Sequence, residues 1–426
     1  MMKNILIVLF SVLVAACGGG SGDDAKIRFA NFTTDSNGLN LYTGGDERIS
    51  NINQEQISGY VNVDAKTYDL VVKKGTGSTL TSASTSLAKK KHYTAVSWGR
   101  DGAMKFTSLG EDEGAPGSGK VKLRFLNAAT DAGNLDVYIT NENDLLENNS
   151  PNHSAVAVGT LTAFGDFNRG TYRLRVTAAG DKNDVRLDVS GVSFADKQVA
   201  TMVLQSGIGG TLVNGFILNQ QSDLKPYKSN QVRVRLAAGV GGNGNVSAKV
   251  GDTNLSSSSI SPSVSSYVLA PAGNQTLLVQ LGTATIFSAT QNFVAGGDYT
   301  VLASGPAGSA QAKLLVDDNR LPTSANKAKI RLIHGADSSQ SLSLAVDTVS
   351  VVNDLAYGAA SSFVNVSPNS GNALIEVTSP LSNEPVYTTS KSNSSTTGVT
   401  LDQQSVYSVF VLGGSASARG ILRRER

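Results

Sequence analysis

Residues 122–138, KLRFLNAATDAGNLDVY, contain the pattern that decides the fold of this chain. Apolar and polar residues alternate from Val121 to Phe125, and a period of two is typical of a strand that buries one face. Asp, Gly and Asn then mark a turn, and the alternation resumes at Leu135. The stretch therefore predicts two strands joined by a turn.

The same pattern occurs four times along the chain of 426 residues. One arginine in each opening strand aligns the copies, and these are Arg28, Arg124, Arg235 and Arg331. Each copy continues with a short strand, a turn and a second alternating strand, as in residues 60–72, and later with an apolar strand that ends at glycine, as in 92–99. Repetition of this kind predicts tandem units of one fold.

Each copy contains about seven short strands with regular turn signals, which is typical of a β-sandwich of immunoglobulin type. Polar linkers separate the copies and set their expected bounds at 25–113, 119–222, 230–319 and 326–426. The predicted fold class is therefore all-β, with four tandem immunoglobulin-like β-sandwich domains after a lipoprotein signal peptide.

The composition agrees with many strands and excludes some classes of protein. Charged residues are 16% of the chain, glycine occurs 44 times, and 36 basic against 34 acidic residues leave a net charge of +2. A nucleic-acid-binding protein has a clustered basic stripe, and this sequence has none, so no nucleic-acid partner is expected. The single cysteine excludes a disulfide within the chain and a cysteine-based zinc site.

The N-terminus has the features of an export signal. Lys3 precedes the apolar run 5–14, which rises only about 15 Å as a helix, half of what a membrane span requires. Val14-Ala-Ala-Cys17 resembles the lipobox of bacterial lipoproteins, in which small residues precede an obligatory cysteine. The resemblance implies that the signal peptide 1–16 is removed and that Cys17 carries the lipid. The alternative is an ordinary signal peptide with an incidental cysteine.

A lipid on Cys17 predicts where the chain resides. Each buried methylene contributes about 0.8 kcal/mol to membrane binding, so two or more acyl chains anchor a protein firmly. Residues 17–24 then form a flexible, glycine-rich tether. In Gram-negative lipoproteins an aspartate after the cysteine retains the protein in the inner membrane, so Gly18 predicts the outer membrane. The expected partner is the membrane, through the lipid anchor.

Several motifs together resemble one protein family. They are D-x-x-x-L-x-V-Y at 131–138, Y-x-L-x-V at 172–176, Y-T-V at 299–301 and D-D-N-x-x-P at 317–322. These patterns are similar to those of domain of unknown function 4397, which occurs in tandem in bacterial secreted and lipid-anchored proteins. The resemblance covers nearly the whole mature chain and is weakest in the third copy. It implies an immunoglobulin-like sandwich outside the cytoplasm, and no established activity.

Few residues are candidates for chemistry. The histidines His92, His153 and His334 fall in different copies, so no copy holds a His-rich metal site, and no catalytic residue, metal site or cofactor is predicted. The glycine pattern at 239–244 continues as a strand where a dinucleotide-binding fold needs a helix. The polar triplet 317–319 is interpreted as a turn at a domain end, with a calcium site as the alternative.

The four aligned arginines are the only recurring charged positions with a candidate role. They alternate with core residues, so they are expected to face solvent, and the sharper hypothesis is a contact row for an anionic polymer. Trp98 aligns with Leu204 and Leu412 and is expected in the core. The alternative for Trp98 is an exposed ring that stacks on sugars.

The expected function is that of a membrane-anchored cell-envelope lipoprotein, which acts as a structural, adhesive or interaction module without catalysis. One alternative is a carbohydrate-binding surface protein, for which an exposed aromatic strip would be the evidence. The other is an envelope enzyme, which would need a pocket with two convergent titratable groups.

Overall fold

The computed structural model describes residues 23–337, 340–380, 382–389, 399–414 and 418–426. Within these ranges the chain is all-β, as predicted, and the only helical elements there are two single 3-10 turns, Leu146–Asn148 and Ala307–Ser309. No helix in that part of the chain has the length and apolar character needed to cross a bilayer. The predicted signal peptide and Cys17 lie outside the described residues.

The first repeat is a pair of sheets. Its strands are β1 (Ala25–Thr33), β2 (Leu39–Thr43), β3 (Asp46–Ile52), β4 (Gln56–Ile57), β5 (Val61–Val63), β6 (Thr67–Lys74), β7 (Thr79–Ser86), β8 (His92–Gly99) and β9 (Lys105–Gly110). One sheet has the order β4-β1-β8-β9, with β5 also on β1, and the other has the order β3-β2-β6-β7. β1 and β8 run parallel, whereas the other pairs are antiparallel.

The second repeat has the same arrangement. Its strands are β10 (Lys120–Ala128), β11 (Leu135–Thr140), β12 (His153–Val156), β13 (Gly165–Asn168), β14 (Gly170–Ala178), β15 (Asp181–Phe194), β16 (Val199–Ser206), β17 (Val213–Asn219) and β18 (Leu224–Tyr227). The sheets have the orders β13-β10-β16-β17-β18 and β12-β11-β14-β15, and β10 is parallel to β16. β18 extends the first sheet and lies in the segment that the sequence predicted to be a linker.

The third repeat follows the first closely. Its strands are β19 (Gln231–Val240), β20 (Asn245–Val250), β21 (Thr253–Ile260), β22 (Ser263–Val264), β23 (Val268–Pro271), β24 (Gly273–Leu281), β25 (Ala284–Phe293), β26 (Asp298–Gly305) and β27 (Gln311–Asp317). The sheets have the orders β22-β19-β26-β27, with β23 also on β19, and β21-β20-β24-β25.

The fourth repeat repeats this pattern with one small extra sheet. Its strands are β28 (Ala328–Ala336), β29 (Leu342–Val346), β30 (Val349–Leu355), β31 (Val364–Val366), β32 (Asn369–Ala373), β33 (Ile375–Thr378), β34 (Tyr387–Thr388), β35 (Val399–Leu401), β36 (Val406–Gly413) and β37 (Arg419–Arg424). The sheets have the orders β31-β28-β36-β37 and β30-β29-β33-β34, with β32 on β35.

The strand order corrects one part of the predicted fold. In the immunoglobulin constant-type order the first strand lies beside the second. Here the first strand lies beside the penultimate strand and parallel to it, and the second strand belongs to the opposite sheet. Each repeat also has more than the seven strands expected. The strand order differs from the predicted one because the turn after the first strand, such as 129–134, carries the chain across to the other sheet instead of closing a hairpin.

Both faces of the first strands are buried, although their period-two alternation predicts one buried face. Ile27 and Phe29 of β1 lie in the core between the two sheets of repeat 1, as the pattern predicted. Ala30 and Phe32 point the other way and join a second apolar cluster. The sheet that contains the first strand is therefore covered on both sides, in the manner of a buried sheet.

The second cluster joins repeat 1 to repeat 2. Phe32 and Trp98 of repeat 1 pack with Leu126 and Phe216 of repeat 2, and the Phe32 and Phe216 rings meet edge to face with centroids 5.3 Å apart. A corresponding cluster, which includes Phe410, joins repeat 3 to repeat 4. The four repeats thus form two couples, and within each couple the sheets that carry the first strands face each other.

This coupling predicts that a couple is the smallest stable unit. A fragment of residues 23–113 would expose Phe32 and Trp98 to water, so we expect it to aggregate or to give a collapsed amide spectrum. A fragment of residues 23–229 keeps both sides of the cluster and is expected to give a dispersed spectrum. Two-dimensional NMR and size-exclusion chromatography make the comparison. A monomeric, well-dispersed 23–113 fragment would contradict the coupling.

Candidate functional site

The four aligned arginines lie between the repeats, not in solvent. Arg28, Arg235 and Arg331 are only 3%, 2% and 2% exposed, and Arg124 is partly buried. The expectation of a solvated face is therefore wrong for three of the four. The physical reason is that the outer face of each first strand is covered by the neighbouring repeat, so no long anionic polymer has access to the row.

Each arginine is held in the same way inside its own repeat. The Nε–H donates to a hydroxyl directly opposite on the strand that runs parallel to the first strand, at 2.9–3.0 Å. The acceptors are Thr94, Thr201, Thr300 and Ser408. The guanidinium also lies over an aromatic ring at 4.3–4.9 Å from its centroid, and these rings are Tyr60, Phe164, Tyr267 and Phe363. A guanidinium over a ring face is attracted by the ring quadrupole.

The Nη–H donors of Arg235 and Arg331 join repeat 3 to repeat 4 by ion pairs, and we call this set of contacts between two coupled repeats the clasp. Arg235 of repeat 3 donates through Nη1 and Nη2 to the two carboxylate oxygens of Glu425 in repeat 4, each at 2.7 Å. Arg331 of repeat 4 donates through Nη2 to Asp317 in repeat 3 at 2.6 Å. Each of these two arginines thus binds an acid of the other repeat. Asp317 is the last residue of β27, and Glu425 directly follows β37, so the two contacts form a pseudo-twofold arrangement.

The clasp between repeats 1 and 2 lacks one acid. Strand register places four residues at equivalent positions, two places after the residue that lies opposite the hydroxyl partner of each arginine. They are Glu111, Gln220, Asp317 and Glu425. Repeat 2 alone has an uncharged residue there. Arg28 therefore pairs with Glu111 of its own repeat at 2.5 Å and donates across the interface to the carbonyl oxygens of Asn219, at 2.9 Å, and Ser222.

Arg124 is left without a carboxylate partner among the described residues. Its Nη2 donates to the carbonyl oxygen of Gly110 in repeat 1 at 3.0 Å. Burial lowers the pKa of Arg124, and Glu111 and Glu113 oppose that effect from a distance. The Arg124 guanidinium is thus held by a hydroxyl and a backbone carbonyl oxygen, whereas Arg235 and Arg331 are held by carboxylates of the neighbouring repeat.

Asp317 is the most densely bonded acid of the row. Besides Arg331, its carboxylate accepts hydrogen bonds from Thr300 Oγ1 at 2.6 Å and from the Tyr267 hydroxyl at 2.7 Å. Burial by itself would raise the pKa of Asp317, but Arg331 and Arg235 and these hydrogen bonds hold it below its ordinary value. For Tyr267, burial and then Asp317 raise the pKa far above its usual range.

The same bonds account for the polar triplet 317–319. Asp318 pairs with Arg320 at 2.7 Å and with Lys329 at 3.3 Å. Asn319 donates to Asp298 at 2.8 Å. The carboxylates of the triplet are thus engaged with cations, and no group of three or more His, Cys, Asp or Glu side chains in the described part of the chain is placed to hold a metal ion.

Trp98 and His334 take structural positions. Trp98 is 6% exposed, lies in the cluster between repeats 1 and 2, and donates through Nε1 to Thr107 at 2.9 Å. It is buried as expected, but between two repeats, and it offers no open face for sugar stacking. His334 bonds the carbonyl oxygen of Gln340 at 2.7 Å, as the aligned Asn31 bonds that of Ser36, so both side chains hold the loop that follows the first strand.

The acids and the rings of the clasp were not predicted from the sequence. Tyr60, Tyr267 and Phe363 follow their arginines by the same 32 residues, and this spacing was a usable signal. A second signal was the residue two places after each arginine, which is always apolar, as in Ala30 and Ile333. An exposed strand face would not turn apolar in all four copies.

Comparison with protein families gives one match. The sequence model of the family described as "Domain of unknown function (DUF4397)" matches residues 25–138 and 232–345, which together are more than half of the chain. Each match begins in the first strand of an odd-numbered repeat and ends in the second strand of the next. No curated protein matches the sequence.

Similarity to solved structures is weak. The "Product complex of a multi-modular glycogen-degrading pneumococcal virulence factor SpuA" is 7% identical with a TM-score of 0.17, and the match covers 86% of this chain and 37% of that one. "The Bacillus anthracis TIE protein" is 10% identical with a TM-score of 0.14, covering 90% of this chain and 66% of that one. Scores this low assign neither a fold nor a function.

Removing one partner of the clasp is expected to destabilise the second couple. Arg235→Met leaves Glu425 buried without its cation, and breaking a buried pair in this way costs about 3–5 kcal/mol. The double variant R235M/E425M is expected to lose less, because no charge is left unpaired. Calorimetry or urea unfolding measures the change. Arg48→Met, at a pair whose side chains are 37% and 71% exposed, is the matched control and should lose at most about 1 kcal/mol. Equal effects at Arg235 and Arg48 would contradict the clasp.

The low pKa of Asp317 predicts acid sensitivity. A carboxyl group whose folded-state pKa lies below its unfolded value stabilises the fold above that unfolded value, 3.8, and the stabilisation is lost as the pH falls through the folded pKa. Asp317→Asn is expected to lower stability at neutral pH and to flatten the decline in acid. Unfolding midpoints between about pH 7 and pH 2 test this. Asp64→Asn, at an exposed carboxylate, should leave the acid decline unchanged.

Proposed function

This chain belongs to the family described as "Domain of unknown function (DUF4397)", a description that names no activity. We propose that it is a membrane-anchored cell-envelope lipoprotein that acts as a structural, adhesive or interaction module without catalysis. In this proposal the module is a stiff stack of four β-sandwiches presented from the outer membrane of a Gram-negative cell.

One observation carries the proposal: the aligned arginines bind groups within and between repeats, and they do not form an exposed row. The guanidinium groups of Arg28, Arg235 and Arg331 are buried and bonded to acids and backbone of the same or the neighbouring repeat. A buried ion pair adds little net stability but fixes one arrangement, since any other leaves a charge unpaired. Such joints resist swinging, which suits a protein that holds a surface at a distance from a membrane.

Contacts between the couples add to this stiffness. Arg100 of repeat 1, which pairs with Asp131 of repeat 2 at 3.1 Å within the first couple, also donates to the carbonyl oxygen of Leu321 beyond repeat 3. The amide of Leu321 in turn donates to Asp131 at 2.8 Å. At Gly209, a side-chain Cβ would lie 2.7 Å from the backbone nitrogen of Asp298, so the close approach of repeats 2 and 3 depends on glycine there.

Features of the amino-acid sequence support the proposed location in the cell envelope. The apolar run 5–14, the lipobox-like Val14-Ala-Ala-Cys17 and the glycine-rich tether support lipidation at Cys17 and anchoring in the envelope. Gly18 supports the outer membrane as the destination.

Lipidation is tested at Cys17. Cys17→Ala is expected to abolish incorporation of labelled palmitate and to move the protein from the membrane fraction to the soluble fraction, because the acyl chains supply the binding energy. Ser21→Ala, in the tether, is the matched control and should keep both. Mass spectrometry of the mature N-terminus gives an independent result. An unmodified Cys17 in the native protein would refute the anchor.

The interaction role is tested with the mature full chain. Crosslinking in intact cells, followed by mass spectrometry, is expected to recover a reproducible envelope protein or glycan at the surface of the repeats. The absence of any specific crosslinked partner, together with an unchanged envelope in a deletion strain, would count against the proposal.

A further inference from the structure

A cavity of about 550 Å³ lies where repeats 2, 3 and 4 meet. Repeat 2 contributes Asp181 and Asp184, repeat 3 contributes Arg233 and Tyr267, and repeat 4 contributes Arg423. We call it the junction cavity. Its volume is in the range of small-molecule sites and far exceeds the needs of a single small ion.

The carboxylates in the lining have their hydrogen bonds already. Asp184 accepts from Arg186 Nη2 at 2.6 Å, and Asp181 accepts from the amide of Asn183 at 2.9 Å. Both oxygens of Glu425, a further lining residue, are bound by Arg235. Asp184 and Glu425 are therefore bound by arginines, whereas Asp181 is exposed and accepts a backbone amide.

Two arginines of the cavity have N–H groups without a hydrogen-bond acceptor among the described residues. Arg233 binds Asp298 through Nε at 2.9 Å and Nη2 at 2.6 Å, and among the described residues its Nη1 has no acceptor. Arg423 donates through Nη2 to the carbonyl oxygen of Val264 at 2.9 Å, and its Nε and Nη1 find no acceptor in the same part of the chain. The cavity thus presents free N–H donors, and its complement is an acceptor-rich anion.

Comparison between the repeats shows that Arg423 is exceptional. In the register of the last two strands, Arg423 lies opposite Ser408 as Leu109 lies opposite Thr94, Leu218 opposite Thr201 and Leu315 opposite Thr300. These three leucines are buried in the clusters between repeats. Only repeat 4 replaces the leucine with an exposed arginine.

A second cavity serves as an internal control. The residues Arg331, Ser361, Ser362 and Phe363 line a cavity of about 450 Å³, and they are equivalent to Arg235, Ser265, Ser266 and Tyr267 in the junction cavity. At the positions of Arg423 and Arg424 this second cavity has Leu315 and Val316. The same fold thus produces both cavities, and the arginine pair belongs to one alone.

We propose that the junction cavity binds a carboxylated sugar, such as a uronic acid residue, with the carboxylate on the free donors of Arg423 and Arg233. Arginine recognises carboxylates through parallel N–H donors, and charge-assisted bonds of this kind are strong. Ser266 offers a hydroxyl to the sugar hydroxyls, while Tyr267 and Leu269 supply apolar wall. The mixed lining and the volume favour a hydroxylated ring over a bare ion.

Binding is measured by calorimetry on the mature full chain with galacturonate and glucuronate, free and as oligomers. The neutral sugars galactose and glucose and inorganic phosphate are the comparison probes. We expect a uronate to bind at least about tenfold more tightly than its neutral analogue, and to bind more weakly as salt increases, because the contact is ionic. Oligomers that bind where monomers do not identify a polymer as the source.

The decisive variant is Arg423→Leu, since leucine is the residue that the other three repeats carry. It is expected to reduce uronate affinity at least about tenfold with little change in the unfolding temperature, because the side chain it replaces is exposed and makes one hydrogen bond among the described residues, to the carbonyl oxygen of Val264. Arg419→Leu, on the same strand but outside the lining, should leave affinity unchanged. Arg423→Gln keeps the test valid if the leucine variant unfolds.

Three results would overturn the proposal. They are equal binding of neutral sugars and uronates, full competition by phosphate at equal concentration, and unchanged uronate binding in both Arg423 variants. None of these results bears on the lipid anchor, so the two proposals fail separately.

Discussion

The burial of a guanidinium group between two facing sheets is the constraint on which the rest of this structure depends. A charge taken out of water needs an acid and hydrogen-bond acceptors at fixed places. Arg235 and Arg331 find them only when repeats 3 and 4 meet in one register, with Glu425 and Asp317 across the interface. The ring of Tyr267 and the hydroxyl of Thr300 then complete the shell around the charges.

Small departures from the repeat pattern give the two couples different properties. Gln220 stands in repeat 2 where the other repeats have an acid. Arg124 is partly exposed, and among the described residues its hydrogen bonds go to a hydroxyl and a carbonyl oxygen. In repeat 4 the exposed Arg423 stands where the other repeats bury a leucine, and it brings N–H donors without an acceptor among the described residues to the junction cavity. Both departures lie at the interfaces between repeats, where one substitution changes the contact without entering the core between the two sheets of a repeat.

The joints also connect the fold with the proposed role. Apolar clusters such as that around Phe32 and Phe216 supply most of the attraction between coupled repeats, in proportion to the area they remove from water. The ion pairs supply direction, because they tolerate one geometry. Together they give a module that holds its shape, as a protein that presents a surface beyond a membrane needs to do.

The amino-acid sequence by itself determined the strands, their turns and their fourfold repetition, because alternation with a period of two and the turn residues act locally. It also placed Ile27 and Phe29 in a core. It did not determine that the other face of the same strand is buried, since an arginine in an alternating strand is compatible either with solvent or with an interior that supplies an ion-pair partner. Which of these applies to Arg235 depends on Glu425, 190 residues further along the chain, and only the tertiary structure brings the two together. The order of the strands was likewise decided by the crossing between sheets, a choice that short-range patterns do not encode.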